Sequence, residues 1–131
     1  MKETIRAAKN FAKILKGRSR SIVLFYADMG AGKTTFVRHV LNELDPKIQS
    51  SSPTFSIINQ YAENIYHVDL YRVEDMRELE NTDFFEIIAG ENIVFIEWAE
   101  KLGDLAEKLS DAVRIKIDIK EDGKRVYDIT Y

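Results

Sequence analysis

The stretch Ala27-Asp28-Met29-Gly30-Ala31-Gly32-Lys33-Thr34 follows directly on the apolar run Ser21-Ile22-Val23-Leu24-Phe25-Tyr26. A strand that ends in a glycine-rich turn, followed by a helix opening with Lys-Thr-Thr, points several backbone N–H groups and a helix N-terminus at one spot, which suits a phosphate. In the pattern G-x-x-x-x-G-K-[ST] the lysine reaches the β- and γ-phosphates and the next hydroxyl sits on Mg²⁺, which assigns those roles to Lys33 and Thr34. Ala27 stands where the pattern has its first glycine, so the backbone there must avoid the left-handed region or accommodate a methyl group near the loop. The competing reading is a plain turn between a core strand and a core helix. The strand-loop-helix context argues against it.

Upstream of this stretch, Ile5, Ala8, Ala12 and Leu15 fall at helical spacing between Glu3 and Lys16, and Gly17 is a C-terminal stop. Lys13, Lys16, Arg18 and Arg20 cluster at that helix end, where cations suit the dipole better than they suit an RNA patch. The nearly continuous apolar strand 21–26 belongs mid-sheet, covered on both faces. Downstream, Phe36, Val37, Val40, Leu41 and Leu44 make the stripe of a helix that ends near Asp45-Pro46, with His39 off the stripe and exposed. Residues 54–61 read as a strand and Ile65 to Leu70 as a second, with a turn at Glu63-Asn64 between them. Alternation puts Ile65, His67 and Asp69 on one face and Tyr66, Val68 and Leu70 on the other. One or two short helices with an acidic outer face are expected over 74–89, a buried strand over 93–96 leading into Glu97-Trp98, and a helix over 100–109. Val113, Ile115, Ile117 and Ile119 then alternate, and an Asp-Gly turn joins their strand to Arg125–Tyr131. The sum is an α/β fold, a P-loop NTPase-like three-layer sandwich with a mixed central sheet and helices on both faces.

With 131 residues the chain reads as a single domain, 1–131. Apolar residues are 45% and charged residues 31%, ordinary for a globular protein, so the chain should fold without a partner. Cysteine is absent, which excludes disulfides and thiolate metal sites and suits a reducing cytosol. No N-terminal segment reads as a signal peptide or membrane span, and a cytoplasmic location is expected. The net charge of −3 supplies no global positive field for nucleic acid, so any RNA role should run through a partner or a local patch.

Hydrolysis needs an acid for Mg²⁺ and a group that positions the attacking water. Glu97 closes an apolar strand and Asp69 closes another at its carboxyl end, the rim where open α/β sheets put their ligands. The preferred assignment is Glu97 to Mg²⁺ and Asp69 to the water, with the reverse as the alternative. Thr54, after Ser52-Pro53, is a candidate nucleotide-sensing switch, against a plain turn. Trp98 stacks on nucleotide or a moving loop, or else packs in the core. Arg72 is a candidate charge stabiliser or a salt-bridge partner. His67 and Asp69 supply only two metal-type ligands, too few for a dedicated transition-metal site.

Together these residues resemble the TsaE family, small bacterial ATPases needed for the threonylcarbamoyl modification of adenosine in tRNA. The resemblance rests on Glu3-Thr4, the loop 28–36, Ser52-Pro53-Thr54-Phe55, His67-Val68-Asp69-Leu70-Tyr71-Arg72, Glu78-Leu79-Glu80 and Ile96-Glu97-Trp98. It implies ATP and Mg²⁺ as cofactors and Asp69 and Lys33 as catalytic residues. Thr34 and Glu97 would hold the metal. Nucleotide would be bound by Thr4, Met29, Gly30, Ala31, Gly32, Lys33, Thr34, Thr35, Trp98 and Lys124, the last sharing a Gly-Lys-Arg run with Arg125. The implied partners are the TsaB and TsaD proteins, with tRNA met only through their complex. Slow hydrolysis by the isolated protein is expected. The alternatives are a small-molecule P-loop kinase, for which no arginine-rich lid is evident between residues 99 and 111, and a nucleotide-dependent adaptor without turnover, motivated by Ala27. A GTPase is disfavoured, because neither N-K-x-D nor D-x-x-G occurs.

Overall fold

The apolar run before the loop forms β1 (Ser21–Ala27), and its lack of a polar face explains its neighbours. It pairs in parallel with β4 (Ile93–Glu97) on one side and β5 (Val113–Ile119) on the other. The computed structural model describes residues 2–27, 33–47 and 57–131. Beyond β4 lies β3 (Ile65–Asp69), parallel to it, then β2 (Ile58–Ala62), antiparallel to β3. Beyond β5 lies β6 (Arg125–Thr130), antiparallel, so the six-stranded order is β2-β3-β4-β1-β5-β6.

Helices cover both faces. On the first, α1 (Lys2–Lys16) and α2 (Lys33–Leu44) bury Ala8, Phe11, Ala12 and Leu15 with Phe36, Val37, Val40 and Leu41 against Val23, Phe25, Phe95 and Ile115. These helical residues recur at three- and four-residue spacing, which puts them on single faces. Phe36 is the anchor that docks the start of α2: its ring stacks on Tyr127 at 5.0 Å and meets Phe25 edge-on at 5.9 Å. His39 is half-buried at the margin of the stripe rather than exposed. On the second face, the 3-10 helix Met76–Asn81, α3 (Phe84–Ala89), the 3-10 helix Ala99–Leu102 and α4 (Asp104–Lys108) cover Ile22, Leu24, Val68, Val94 and Ile96.

The basic cluster after α1 serves the fold. Lys13 and Lys16 lie in its last turn, and the Arg20 guanidinium pairs with Asp111 and donates to the Ile88 carbonyl at 2.7 Å.

Three further details differ from expectation. The helix of residues 100–109 is two short pieces broken at Gly103, whose φ of 56° and ψ of −128° belong to a region that side chains rarely adopt. The Asp-Gly turn spans a longer loop than two residues: Lys120 N–H donates to the Lys124 carbonyl, and Gly123 (φ 83°) supplies the left-handed residue that lets the strands close. The strand expected over 54–61 is seen as Ile58–Ala62, continuing to the Glu63-Asn64 turn, while residues 54–56 lie outside the described residues.

The acidic outer face over 74–89 has a structural use. Asp75 caps Met76–Asn81 through the Arg77 N–H at 2.9 Å, and the Glu78 carboxylate accepts from the N–H groups of Glu74 and Asp75 at 2.7 and 2.9 Å. This is a reciprocal capping box.

Candidate functional site

In the sheet order β3, β4 and β1 are consecutive and parallel, so their carboxyl ends share one rim. The register sets Asp69 opposite Glu97 across β3 and β4, and Glu97 opposite Phe25 across β4 and β1. The chain leaves β1 at Ala27 and re-enters helix at Lys33, so the start of α2 serves the same rim. Alternation turns the side chains of His67, Asp69 and Glu97 toward the face that α1 and α2 cover, since Ile65, Ile93 and Phe95 of the same parity pack there.

Ala27 pairs with Ile117 of β5 as the last residue of β1, and it has no positive φ. Its backbone therefore avoids the left-handed region, which is how the chain tolerates alanine at that place. Met29, Gly30, Ala31, Gly32 and Thr54 lie outside the described residues, as do the side chains of Thr4, Lys33 and Thr34. Thr35 is half-buried in the first turn of α2. Lys124 is exposed in the β5–β6 hairpin loop. Because Ile117 is level with Ala27, that hairpin rises from the carboxyl rim beside β1.

Glu97 is 4% exposed in a strand whose five residues are all buried. A carboxylate so placed needs a partner. It has one in His67, whose Nε2 lies 2.6 Å from Glu97 Oε2. Tyr61 completes the cluster, its ring stacked on His67 at 6.2 Å. Tyr61 falls where the β2–β3 register shifts between Gln60 and Ala62, a bulge of the kind that re-aims a side chain. Burial, then the charge of Glu97, push the Tyr61 phenol above its ordinary value, against the opposing pull of Arg38 on α2.

Asp69 is half-buried. Its Oδ1 accepts from the Tyr71 N–H at 3.0 Å, its own N–H donates to the Ile57 carbonyl at 2.9 Å, and the next N–H, of Leu70, donates to the Glu97 carbonyl at 3.2 Å. The backbone thus holds both acids together at the rim. Trp98 follows Glu97 in the left-handed conformation, φ 61° and ψ 43°. Its side chain packs toward the second face, with its ring 5.1 Å from that of Tyr71. Lys101 ties the same turn, donating to the carbonyls of Tyr71 and Val73. Arg72 is exposed in this turn.

Sequence reasoning placed Asp69 and Glu97 at strand ends but missed the His67–Glu97 pair, Tyr61, Arg38 and Lys101. One signal was available: a glutamate closing an otherwise apolar buried strand demands a polar partner.

Among the described residues no three His, Cys, Asp or Glu side chains gather to cage a metal. A hard ion such as Mg²⁺ needs only one or two protein oxygens, with waters and ligand oxygens for the rest. Glu97, with Oε2 on His67, could supply one such oxygen.

The family model described as "Threonylcarbamoyl adenosine biosynthesis protein TsaE" matches residues 1–127. The chain is 36% identical over 132 residues to tRNA threonylcarbamoyladenosine biosynthesis protein TsaE of Rickettsia typhi, an alignment covering 98% of this chain and 88% of that protein. It is 35% identical to the protein of the same name from Aquifex aeolicus, covering 94% and 85%. Its fold is similar to the crystal structure of Bacillus subtilus YdiB, with a TM-score of 0.65 and 25% identity over 94% of this chain and 77% of that one. Coverage of this extent, by a family model and by relatives above 30% identity, leads to one conclusion: the chain belongs to the TsaE family of tRNA threonylcarbamoyladenosine biosynthesis proteins.

Proposed function

We propose that the chain binds Mg-ATP at the carboxyl rim of β3, β4 and β1, hydrolyses it slowly, and by doing so supports a TsaB–TsaD complex in threonylcarbamoyl modification of tRNA. The observation that carries this reading is the register that sets Asp69 level with Glu97, on the strand next to the one whose chain re-enters helix at Lys33. In it the backbone of 29–32 and Lys33 cradle the phosphates, and Thr34 and Glu97 are the metal's protein oxygens. Mg²⁺, when bound, neutralises charge that develops on the β- and γ-phosphates. Asp69, its Oδ1 on the Tyr71 amide, is left with Oδ2 to orient the attacking water. Thr4 lies near the adenine, Trp98 near the nucleotide, Lys124 reaches in from the hairpin, and Thr54 senses the γ-phosphate. The net charge of −3 fits an indirect relation to tRNA, through protein partners. The reading carries a cytoplasmic location; among the described residues no helix is long and apolar enough to cross a membrane.

The test is phosphate release by the purified protein with and without TsaB and TsaD. Slow multiple turnover, lost in Lys33→Ala and Glu97→Ala and faster with both partners, supports the reading. Nucleotide binding without multiple turnover leaves the adaptor, a phosphorylated acceptor product leaves the kinase, and a rate indifferent to the partners removes the regulatory role.

A further inference from the structure

The buried imidazole of His67 has no part in the activity proposed above, yet it lies 2.6 Å from one of the two acids of the rim. Its residue is 8% exposed and Glu97 4%. The contact is set by sheet register: His67 is level with Phe95 and Asp69 with Glu97, so Nε2 reaches diagonally, two residues along the strand, to Oε2. A carboxylate has no proton to give, so Nε2–H donates and Oε2 accepts. The Tyr61 ring flanks the imidazole, with centroids 6.2 Å apart and planes 28° from parallel.

A glutamate carboxylate turns about a terminal torsion with broad, shallow preferences. At a strand end, with nothing on either oxygen, it would sample many orientations. With Oε2 held by His67, the orientation of the group is set and Oε1 is the oxygen left to meet a cation. Outer partners of this kind orient metal-binding carboxylates, and their loss typically lowers metal affinity about 10–100-fold.

We propose that His67 is a positioning residue that fixes the Glu97 carboxylate through Nε2–H···Oε2, so that Glu97 offers a single, oriented oxygen to a divalent cation bound with nucleotide. The inference rests on the reading of Glu97 as a cation-binding residue. Were His67 purely structural, its replacement would lower stability without altering cation affinity in the folded protein.

The test uses the full chain and Mn²⁺ as the probe, with affinity read by electron paramagnetic resonance in saturating ADP and ADP affinity read separately in chelator. Two variants divide the imidazole's reach: the amide nitrogen of His67→Gln extends about as far as Nε2, while that of His67→Asn reaches only about as far as Nδ1. Both keep a polar side chain at the buried position, and circular dichroism checks their fold. The expected result is a loss of Mn²⁺ affinity of about tenfold or more in His67→Asn. His67→Gln should recover most of it, ADP affinity in chelator should be unchanged in both, and Glu97→Ala alone should lose at least as much as His67→Asn. If Glu97→Ala weakens Mn²⁺ while Asn and Gln both match the parent, His67 does not position Glu97 and the proposal fails with the site reading intact. If Glu97→Ala itself leaves Mn²⁺ affinity unchanged, the reading of Glu97 is wrong and the proposal falls with it. Equal losses in Asn and Gln would also overturn it, because the donor's position would then be irrelevant.

Discussion

Lys101 Nζ lies 2.5 Å from the main-chain carbonyl oxygen of Tyr71, joining the segment after β4 to the turn that follows Asp69. The same ammonium reaches the Val73 carbonyl at 3.0 Å. The two acids of the rim are thus tied at the ends of their strands and again by the segments that leave them. Hydrogen bonds from charged donors contribute about 1.5–3 kcal/mol in favourable cases, and partial exposure puts this one at the low end. Lys101→Met should therefore lower stability by about 1–2 kcal/mol in urea titration, with amide exchange rising first in residues 70–73. Unchanged exchange there would mean that the turn holds without the lysine.

Trp98 is the one residue other than glycine with positive φ among the described residues. The left-handed conformation costs a residue with a Cβ about 1–2 kcal/mol. Trp98→Ala and Trp98→Gly lose the same ring contact with Tyr71, but only glycine escapes the backbone cost. The glycine variant should be more stable than the alanine variant by about 1 kcal/mol in paired denaturation curves, the reverse of the order expected in ordinary helix or strand. Alanine being the more stable would show that the left-handed geometry is not retained in the variants.

The capping box makes an acid-side prediction. Asp75 is held below its ordinary carboxylate value, chiefly by the Arg77 side chain, and Glu78 below its own, chiefly by the Asp75 N–H and then that of Glu74. Folded values lower than unfolded ones mean that the unfolded chain binds more protons in this range, so stability rises with pH there. The contribution is full above the ordinary values of 3.8 and 4.5 and fades as pH falls through the lowered ones. Glu78→Ala should be less stable than the parent at pH 7, and the gap should narrow below about pH 4. A gap independent of pH, in thermal melts across pH 3–7, would assign the effect to helix packing.

Ala27→Gly restores the first glycine of the loop pattern. Because Ala27 is in strand register with Ile117, glycine is not needed for the backbone's path. Nucleotide affinity should be unchanged or tighter by calorimetric titration, and stability lower by about 0.5–1 kcal/mol from the added freedom of the unfolded chain. Loss of binding would show that the methyl group helps hold the loop in its binding shape.

Much of the architecture was legible because it is local. The apolar run of β1, the stripes of α1 and α2, and the alternation of Ile65 to Asp69 each reflect the period of one element, which sequence displays directly. The strand-end placement of Asp69 and Glu97 followed from the same reading, and the family from the order and spacing of the motifs, while residues 28–32 of the loop lie outside the described residues. The partnerships of the site did not. His67 and Glu97 are thirty residues apart, as are Tyr71 and Lys101, and each meets only because β3 and β4 pair in one register. A slip of one residue would turn every side chain of β3 to the other face and undo the His67–Glu97 contact. The bulge at Tyr61, the left-handed Trp98 and the break at Gly103 have the same origin: they are the local distortions that packing imposes on elements whose sequence otherwise asks for regular geometry. The chain alone determined most of the elements that form and which polar residues they carry. The tertiary structure decided which oxygen, nitrogen and ring face one another, because those distances depend on pairing across the sheet.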